Sequence, residues 1–392
     1  MKKRAISGRM VVAAALIAAL IVAIVCASVL LERGQQRDRE RELQVQSEAL
    51  KASMWTDENL VDIGDKLYGF DHRLETFLFV GTDNSGSGNS DPEDFRGPMA
   101  DFLLLMVLDH TKNTIGYLQI DRNTVTDVDE LDASGEVIDT RELQICTAHW
   151  YGRNPEMCAE NTVNAVKSYL GDLENIDGYF VINMDDIGRL NHTVGGVEVT
   201  IEDDMDAADA TLAKGKTLVL DDEQAEHFLR ARTNVEGSKN AERMKRQRQY
   251  MTSFFEKVKE KTMENPKFGI DLWDMLKDVS VSNMNGNDFS RIAQKLLKGE
   301  NKGIHTIKGE TVLGYILEDG VEHEEFYPDV DSLRDEMVEL FSLVPVEDEE
   351  DDGEPDEDDG ELDESSDESP DEDFNEVVDT GDEEAEGEDN EK

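Results

Sequence analysis

Four arginines, a glutamine and two aspartates carry the chemistry that this sequence is equipped to do. Arg122 stands in "YLQIDRNTVT", where an apolar strand pattern (Ile115, Tyr117, Ile120) runs directly into Asp121-Arg122-Asn123-Thr124. A permanently charged guanidinium therefore falls where a buried strand ends. Arg230 and Arg232 are two apart, which puts them on one face of an extended segment. Arg243 and Gln247 are four apart, which puts them on one face of a helix. Guanidiniums gathered in this way suit a phosphate or pyrophosphate, because each planar fork binds two oxygens. Asp83 and Asp101 lie at strand edges before and after the Gly-rich loop "NSGSGNSDPEDFRGPMA". Two carboxylates beside a pyrophosphate suit Mg²⁺ (or Mn²⁺), which takes one or two carboxylates and fills its octahedron with water and phosphate oxygens. Taken singly, each arginine also reads as a solvated or ion-paired surface residue, and each aspartate as a loop cap.

The elements that must position these groups are legible as alternating strands and helices. "ETFLFVGTD", "DFLLLMVLD" and "NTIGYLQI" read as strands, the last two joined by the turn "HTKN". "AENTVNAVKSYLGDL" has helical periodicity, with Asn161 or Thr162 available as its cap. "YFVINMDDIGRLNHTVGGVEVTI" reads as strand, short helix, Gly-Gly turn and strand. "DDEQAEHFLRAR" reads as a helix running into an extended piece, and "NAERMKRQRQYMTSFFEKVKEK" as a long helix. The fold class is therefore α/β or α+β, with a central mixed β-sheet flanked by helices.

Composition sets the remaining domains. Of 91 acidic and 39 basic residues, 28 acids and a single lysine lie from Glu347 onward, so the tail 346–392 lacks the hydrophobes needed to offset chain entropy and is expected to be disordered. It reads as a solvated extension, or as a collector of divalent or other cations through its long-range field. Even without it the body holds 63 acids against 38 bases, which argues against unassisted binding of nucleic acid. Met10 to Leu31 is an uninterrupted run of 22 uncharged, mostly apolar residues, long enough to cross a bilayer as a helix. It is longer than a typical signal-peptide core and lacks an A-x-A site after it. The basic head 1–9 is placed inside the cell, the span at 10–31, a polar stalk at 32–72 outside, and the globular domain at 73–345. In that oxidising compartment Cys146 and Cys158 are expected either to form a disulfide or to stand as two buried thiols.

The segments "TFLFVGTD", "ADFLLLMVLDHTKNTIGYLQIDRNT", "ENTVNAVKSYL", "YFVINMDDIGRLNHTVGGVEV", "GKTLVLDDEQAEHFLRAR" and "ERMKRQRQ", in that order, resemble the LytR-CpsA-Psr family of cell-wall phosphotransferases. The resemblance implies a membrane-anchored enzyme of Gram-positive type. Such an enzyme moves a glycopolymer from an undecaprenyl-pyrophosphate carrier to peptidoglycan, leaving a phosphodiester. It implies metal binding by Asp83 and Asp101, and pyrophosphate binding by Arg122, Arg230, Arg232, Arg243 and Gln247. It also makes Arg122 and Asp101 the candidate catalytic pair and lipid pyrophosphatase activity a side reaction. Two positions depart from the family pattern. Met99 stands where many members have an arginine, with Arg96 a substitute from the loop, and Asn123 stands in place of an aspartate. These departures keep open a second reading, a catalytically weak scaffold that binds polyprenyl pyrophosphate or the wall. The polyprenyl tail is expected between the sheet and helices near "VNAVKSYL", and alanine at the clustered arginines is expected to spare folding.

Overall fold

The runs "TFLFV", "FLLLMVL" and "IGYLQI" are apolar at nearly every position, a pattern that a strand carries only when both of its faces are covered. A computed structural model describes residues 60–346 apart from 65, 71–72, 84–96, 133, 174–175 and 232–238. The expected membrane span, most of the expected stalk, the loop carrying Arg96, Arg232 and the acidic tail lie outside these residues. Among the described residues no helix is long and apolar enough to cross a membrane.

In chain order the strands are β1 (Leu60–Asp62), β2 (Leu67–Gly69), β3 (Leu74–Asp83), β4 (Met99–Asp109), β5 (Thr114–Ile120), β6 (Val125–Leu131), β7 (Val137–Gln144), β8 (Gly178–Asn183), β9 (Glu198–Thr200), β10 (Thr217–Val219), β11 (Ser280–Ser282), β12 (Glu300–Thr306), β13 (Gly309–Gly314), β14 (His323–Pro328) and β15 (Val344–Pro345). The α-helices are α1 (Pro155–Tyr169), α2 (Ile187–Val194), α3 (Asp222–Arg230), α4 (Lys239–Glu264), α5 (Phe268–Leu276), α6 (Gly286–Lys298) and α7 (Val330–Phe341).

Six strands form the central sheet in the order β11-β8-β3-β4-β5-β12, with β8 parallel to β3, β12 parallel to β5 and the other pairs antiparallel. This is the mixed sheet expected from the sequence. Side chains alternate across it. Phe77, Leu104, Met106 and Tyr117 face one core, covered by α2 to α6. Leu78, Val80, Leu105 and Leu118 face the other, covered by α1 and α7. One feature of β4 breaks the alternation. Gly81 pairs with Phe102 but Thr82 pairs with Ala100, so Asp101 is the extra residue of a β-bulge. The bulge returns Ala100 to the same core as Leu103 and Leu105 and re-aims the Asp101 side chain at the strand's end.

Two boundaries differ from the sequence reading. β1 and β2 fall in the expected stalk, yet they pair with each other and β2 pairs with β15, and Val61, Ile63 and Tyr68 are buried in the core. The stalk therefore ends before Leu60. Helix α1 begins at Pro155, with Asn154 accepting from the Met157 N–H at 2.8 Å. Asn161 and Thr162 consequently lie inside the helix: Thr162 bonds back to the Cys158 carbonyl, and Asn161 donates to the carbonyls of Asp129 and Ala148. The Gly-Gly turn is as expected, with Gly195 and Gly196 both at positive φ, a conformation that suits glycine.

A short 3-10 segment, Ile145–Trp150, buttresses the end of β5 and carries a pH-sensitive histidine. His149 is buried against Thr162, 2.8 Å from its hydroxyl, and burial lowers its pKa to about 4 from an ordinary 6.5, against a smaller opposing effect of the Cys158 backbone. Between these two values the unfolded chain binds the proton and the folded chain does not. The stabilisation is therefore complete above pH 6.5 and is lost as pH falls towards 4, amounting to about 3 kcal/mol. Urea unfolding midpoints of the wild type are expected to fall more steeply over that window than those of His149→Gln; parallel curves would show that His149 does not carry the effect.

Candidate functional site

Arg122 follows β5 directly and is anchored from behind, its carbonyl accepting from the Cys146 N–H at 3.1 Å. Its guanidinium donates to Asp101 through Nη1 and lies against the Met99 and Cys146 sulfurs through Nη2, at 2.8 and 3.3 Å. Asp101 reaches it only because the bulge turns that carboxylate out of the strand ladder. The other Asp101 oxygen is 3.7 Å from Arg243 Nη1, and both side chains are about 95% buried (4% and 5% exposed). Arg243 also donates to the Asn240 side chain at 2.8 Å, and Asn240 donates to Asp121 at 2.7 Å. Burial pushes the Asp121 carboxyl up, while the Asn123 N–H holds it down. Arg122, Asp101 and Arg243 thus form one buried cluster, as the sequence suggested. That burial argues against the expectation that alanine would spare folding, since removing an arginine strands Asp101 in the interior.

Along α4 the buried stripe runs Asn240, Arg243, Gln247, Tyr250, Phe254, Val258, at the three- and four-residue steps of one helix face. Its first half is polar and its second half apolar. Gln247 stands at the junction. Its Oε1 accepts from Gln119 Nε2 at 3.2 Å, and Gln119 is itself fixed by Arg248 at 2.8 Å. Among the described residues the buried Gln247 Nε2 is left as a donor with no partner, available to a ligand.

Arg230 and Asp83 form a second cluster. Arg230 ends α3 and donates to Asp83 at 2.9 Å, Asp185 at 2.6 Å and Glu226 at 2.8 Å. Its helix end is held by the buried Arg246, which donates to the Phe228 and Ala231 carbonyls and to Asp203. Asp83 is opposite Met99 in the β3–β4 register, and Met99 touches Arg122, so one strand pair separates the two clusters. Asp83 and Asp101 offer the hard oxygen donors that Mg²⁺ prefers, from one end of that pair, and the donor chemistry fits the ion. Each carboxylate also carries an arginine.

Two cavities meet this region. A polar cleft of ≈ 440 Å³ is lined by Arg122 and Arg243 on one side and by Glu322, His323 and Glu324 on the other, with Met99, Asn123, Gln144, Asn240 and Leu313. An apolar cavity of ≈ 110 Å³ lies between the sheet and α4, lined among others by Phe102, Met106, Met184, Met251, Phe254 and Gln247. It opens on the face opposite α1, so the apolar groove is not near "VNAVKSYL"; α1 instead packs a filled core.

The cysteines do not bridge in the structure. Both are buried free thiols: Cys146 lies against Arg122, and Cys158 packs where a Cβ at Gly97 or Gly152 would collide with it. Burial pushes the Cys158 thiol up to about 11 and raises Cys146 as well, with Arg122 opposing. Sequence reasoning missed Asn240, Arg246, Asp185 and Glu324. The first is recoverable from its seven-residue step to Gln247, and Arg246 is the residue before Gln247; Asp185 and Glu324 arrive from distant segments. His305, Glu336 and Glu339 also bring ligand atoms within 4.8 Å of one another on the surface, a grouping their sequence spacing conceals.

A mixed sheet with an arginine–aspartate cluster at the end of its central strands and an apolar cavity alongside defines an α/β domain. The LytR_cpsA_psr family model matches residues 43–331, and the chain belongs to that family. No curated protein matches the sequence. In fold the chain is similar to TagV of B. subtilis (18% identity, TM-score 0.53, covering 70% of this chain and 100% of that one). It is also similar to the protein gbs0355 from Streptococcus agalactiae (17%, 0.54, 70% and 90%) and to TagT bound to LI-WTA (18%, 0.50, 69% and 91%).

Proposed function

We propose that this protein is a membrane-anchored, extracellular phosphotransferase that moves a glycopolymer from an undecaprenyl-pyrophosphate carrier to peptidoglycan. The observation that carries the reading is the junction on α4: the buried Arg243 facing a polar cleft gives way, within one helix, to an apolar cavity. A ligand with a pyrophosphate head and a hydrocarbon tail has that polarity profile. Family membership and the fold shared with TagT, which is bound to LI-WTA, support the same class of substrate. The apolar run 10–31 would anchor the domain outside the membrane.

In this reading Arg122 and Arg243 hold the pyrophosphate and take up charge that develops on the departing polyprenyl phosphate. Gln247 donates to a phosphate oxygen at the head of the tail, and the Gln119–Arg248 chain keeps its amide oriented. Arg230 completes the anion site from α3. Asp83 and Asp101 would hold Mg²⁺ or Mn²⁺, which when bound supplies further neutralisation of the pyrophosphate. Excluding water from the buried cluster favours transfer to a sugar hydroxyl over hydrolysis.

Met99 and Asn123 favour the second reading, a binding scaffold, because a thioether and an amide occupy the cleft where the family pattern has charge. The two separate in one experiment. Incubated with Mg²⁺, a geranylgeranyl-pyrophosphate-linked sugar and peptidoglycan oligosaccharides, the purified protein is expected to release polyprenyl phosphate and form a phosphodiester, detected by mass spectrometry. Tight binding without turnover selects the scaffold, and failure to bind the lipid removes the transferase and leaves only a scaffold that binds the wall.

A further inference from the structure

The proposed transfer needs a group that receives the proton of the attacking hydroxyl, and on the arginine side the carboxylates of Asp101 and Asp121 are already engaged by Arg122, Arg243 and Asn240. The opposite wall is built by the β13–β14 hairpin, about 200 residues away in sequence from the arginine-bearing turn. The hairpin is docked at fixed register. The Phe326 N–H donates to the Asn123 carbonyl at 2.8 Å, the Gln144 side chain donates to the Glu324 carbonyl at 2.6 Å, and Thr124 bridges Phe326. These bonds hold the Glu324 backbone beside the Asp121-Arg122-Asn123 turn, and the Asn123 amide donates to the Glu324 carboxylate at 3.4 Å. Glu325, the next residue, instead has its carboxylate taken up inside the hairpin by the Ile316 N–H and the Tyr327 hydroxyl.

The charges of this wall decide what it can hold. Glu322 and Glu324 face the cleft, and the ring of His323 between them is 2.9 Å from the Asp319 carboxylate, so a phosphate lying against this wall would meet two like charges. A neutral group able to donate a hydrogen bond suits them. Glu324 is also electrostatically coupled to the far wall, because after burial its charge helps push Asp121 up.

We propose that the β13–β14 wall is the acceptor subsite and that Glu324 is the proton acceptor. The ligand class is a sugar hydroxyl. As its oxygen forms a bond to the sugar-linked phosphorus, the bond from that phosphorus to the bridging oxygen breaks. The hydroxyl proton passes to the Glu324 carboxylate, and polyprenyl phosphate leaves with the bridging oxygen's electron pair. The amide at Asn123 then has a purpose: an aspartate there would set a second carboxylate against Glu324, whereas the amide donates to it.

This assignment rests on the transferase reading, and the test separates the two. Geranylgeranyl pyrophosphate affinity and transfer to peptidoglycan oligosaccharides are measured for the wild type, Arg122→Ala, Glu324→Gln, Glu324→Asp and Glu324→Ala. Glu324→Gln is expected to slow transfer at saturating substrates by about a hundredfold, the usual scale of general-base catalysis, with lipid affinity unchanged or tighter. Glu324→Asp should keep an intermediate rate, and formate should restore part of the Glu324→Ala rate. Wild-type rates in Glu324→Gln overturn the proposal, and so does loss of lipid binding in that variant, which would make Glu324 a structural or lipid-site residue. If Arg122→Ala keeps its lipid affinity, the pyrophosphate reading has failed, and the role of Glu324 fails with it.

Discussion

Arg122→Ala is expected to lose both ligand and stability. On the ligand side it removes a charge-assisted fork from a phosphate, which costs about 1.5 to 3 kcal/mol, or roughly ten- to a hundredfold in affinity for geranylgeranyl pyrophosphate. On the folding side it leaves Asp101, 5% exposed, with Arg243 at 3.7 Å as its remaining cation among the described residues. Breaking a buried pair from one side costs about 3 to 5 kcal/mol, and the remaining arginine places this case near the lower figure. The two losses separate in the double variant Arg122→Ala/Asp101→Asn. Its urea midpoint should recover towards the wild type, because the stranded charge is gone, while lipid binding stays weak. If Arg122→Ala unfolds at the wild-type midpoint, the buried pair contributes nothing to the fold.

Tail length should control affinity through the α4 cavity. Burying a methylene contributes about 0.8 kcal/mol, so a few buried carbons already give a hundredfold. Geranylgeranyl pyrophosphate is therefore expected to bind at least about a hundredfold more tightly than dimethylallyl pyrophosphate by calorimetry. At ≈ 110 Å³ the cavity is small for such a tail, but Met106, Met184 and Met251 line it, and unbranched thioethers can swing aside. Met251→Trp should fill the space and cut the ratio between the two lipids below about ten, with pyrophosphate binding itself retained. Asn164→Trp on the exposed side of α1 should leave the ratio as it is. The reverse pattern would put the lipid on the α1 face.

The fold was largely readable because its signals are local. Runs such as "FLLLMVL" need cover on both faces, and Gly195-Gly196 and the Arg243–Gln247 step act within a few residues. The site was readable only in part. That Asp101 meets Arg122 depends on a bulge, which exists because β3 and β4 pair with one residue to spare, and neither strand shows this alone. The cavity was placed on the wrong face because α4 reads as charged: "ERMKRQRQ" hides a buried stripe whose members are three or four apart among lysines and arginines. The Cys146–Cys158 bridge was plausible from compartment and count, but the thiols face different neighbours. Glu324 reaches Asn123 across 201 positions, beyond any pattern in the chain.

The stripe on α4 also bears on how such a protein can diverge. From Arg243 to Val258 the helix spans about 22 Å at ~1.5 Å per residue, far enough that changes at its two ends should add without interfering. Head-group preference and tail-length preference are then separately heritable. A lineage can exchange its polymer donor by altering the first two turns and adapt to a different carrier lipid by altering the last three, with Gln247 the one position where the two histories must agree.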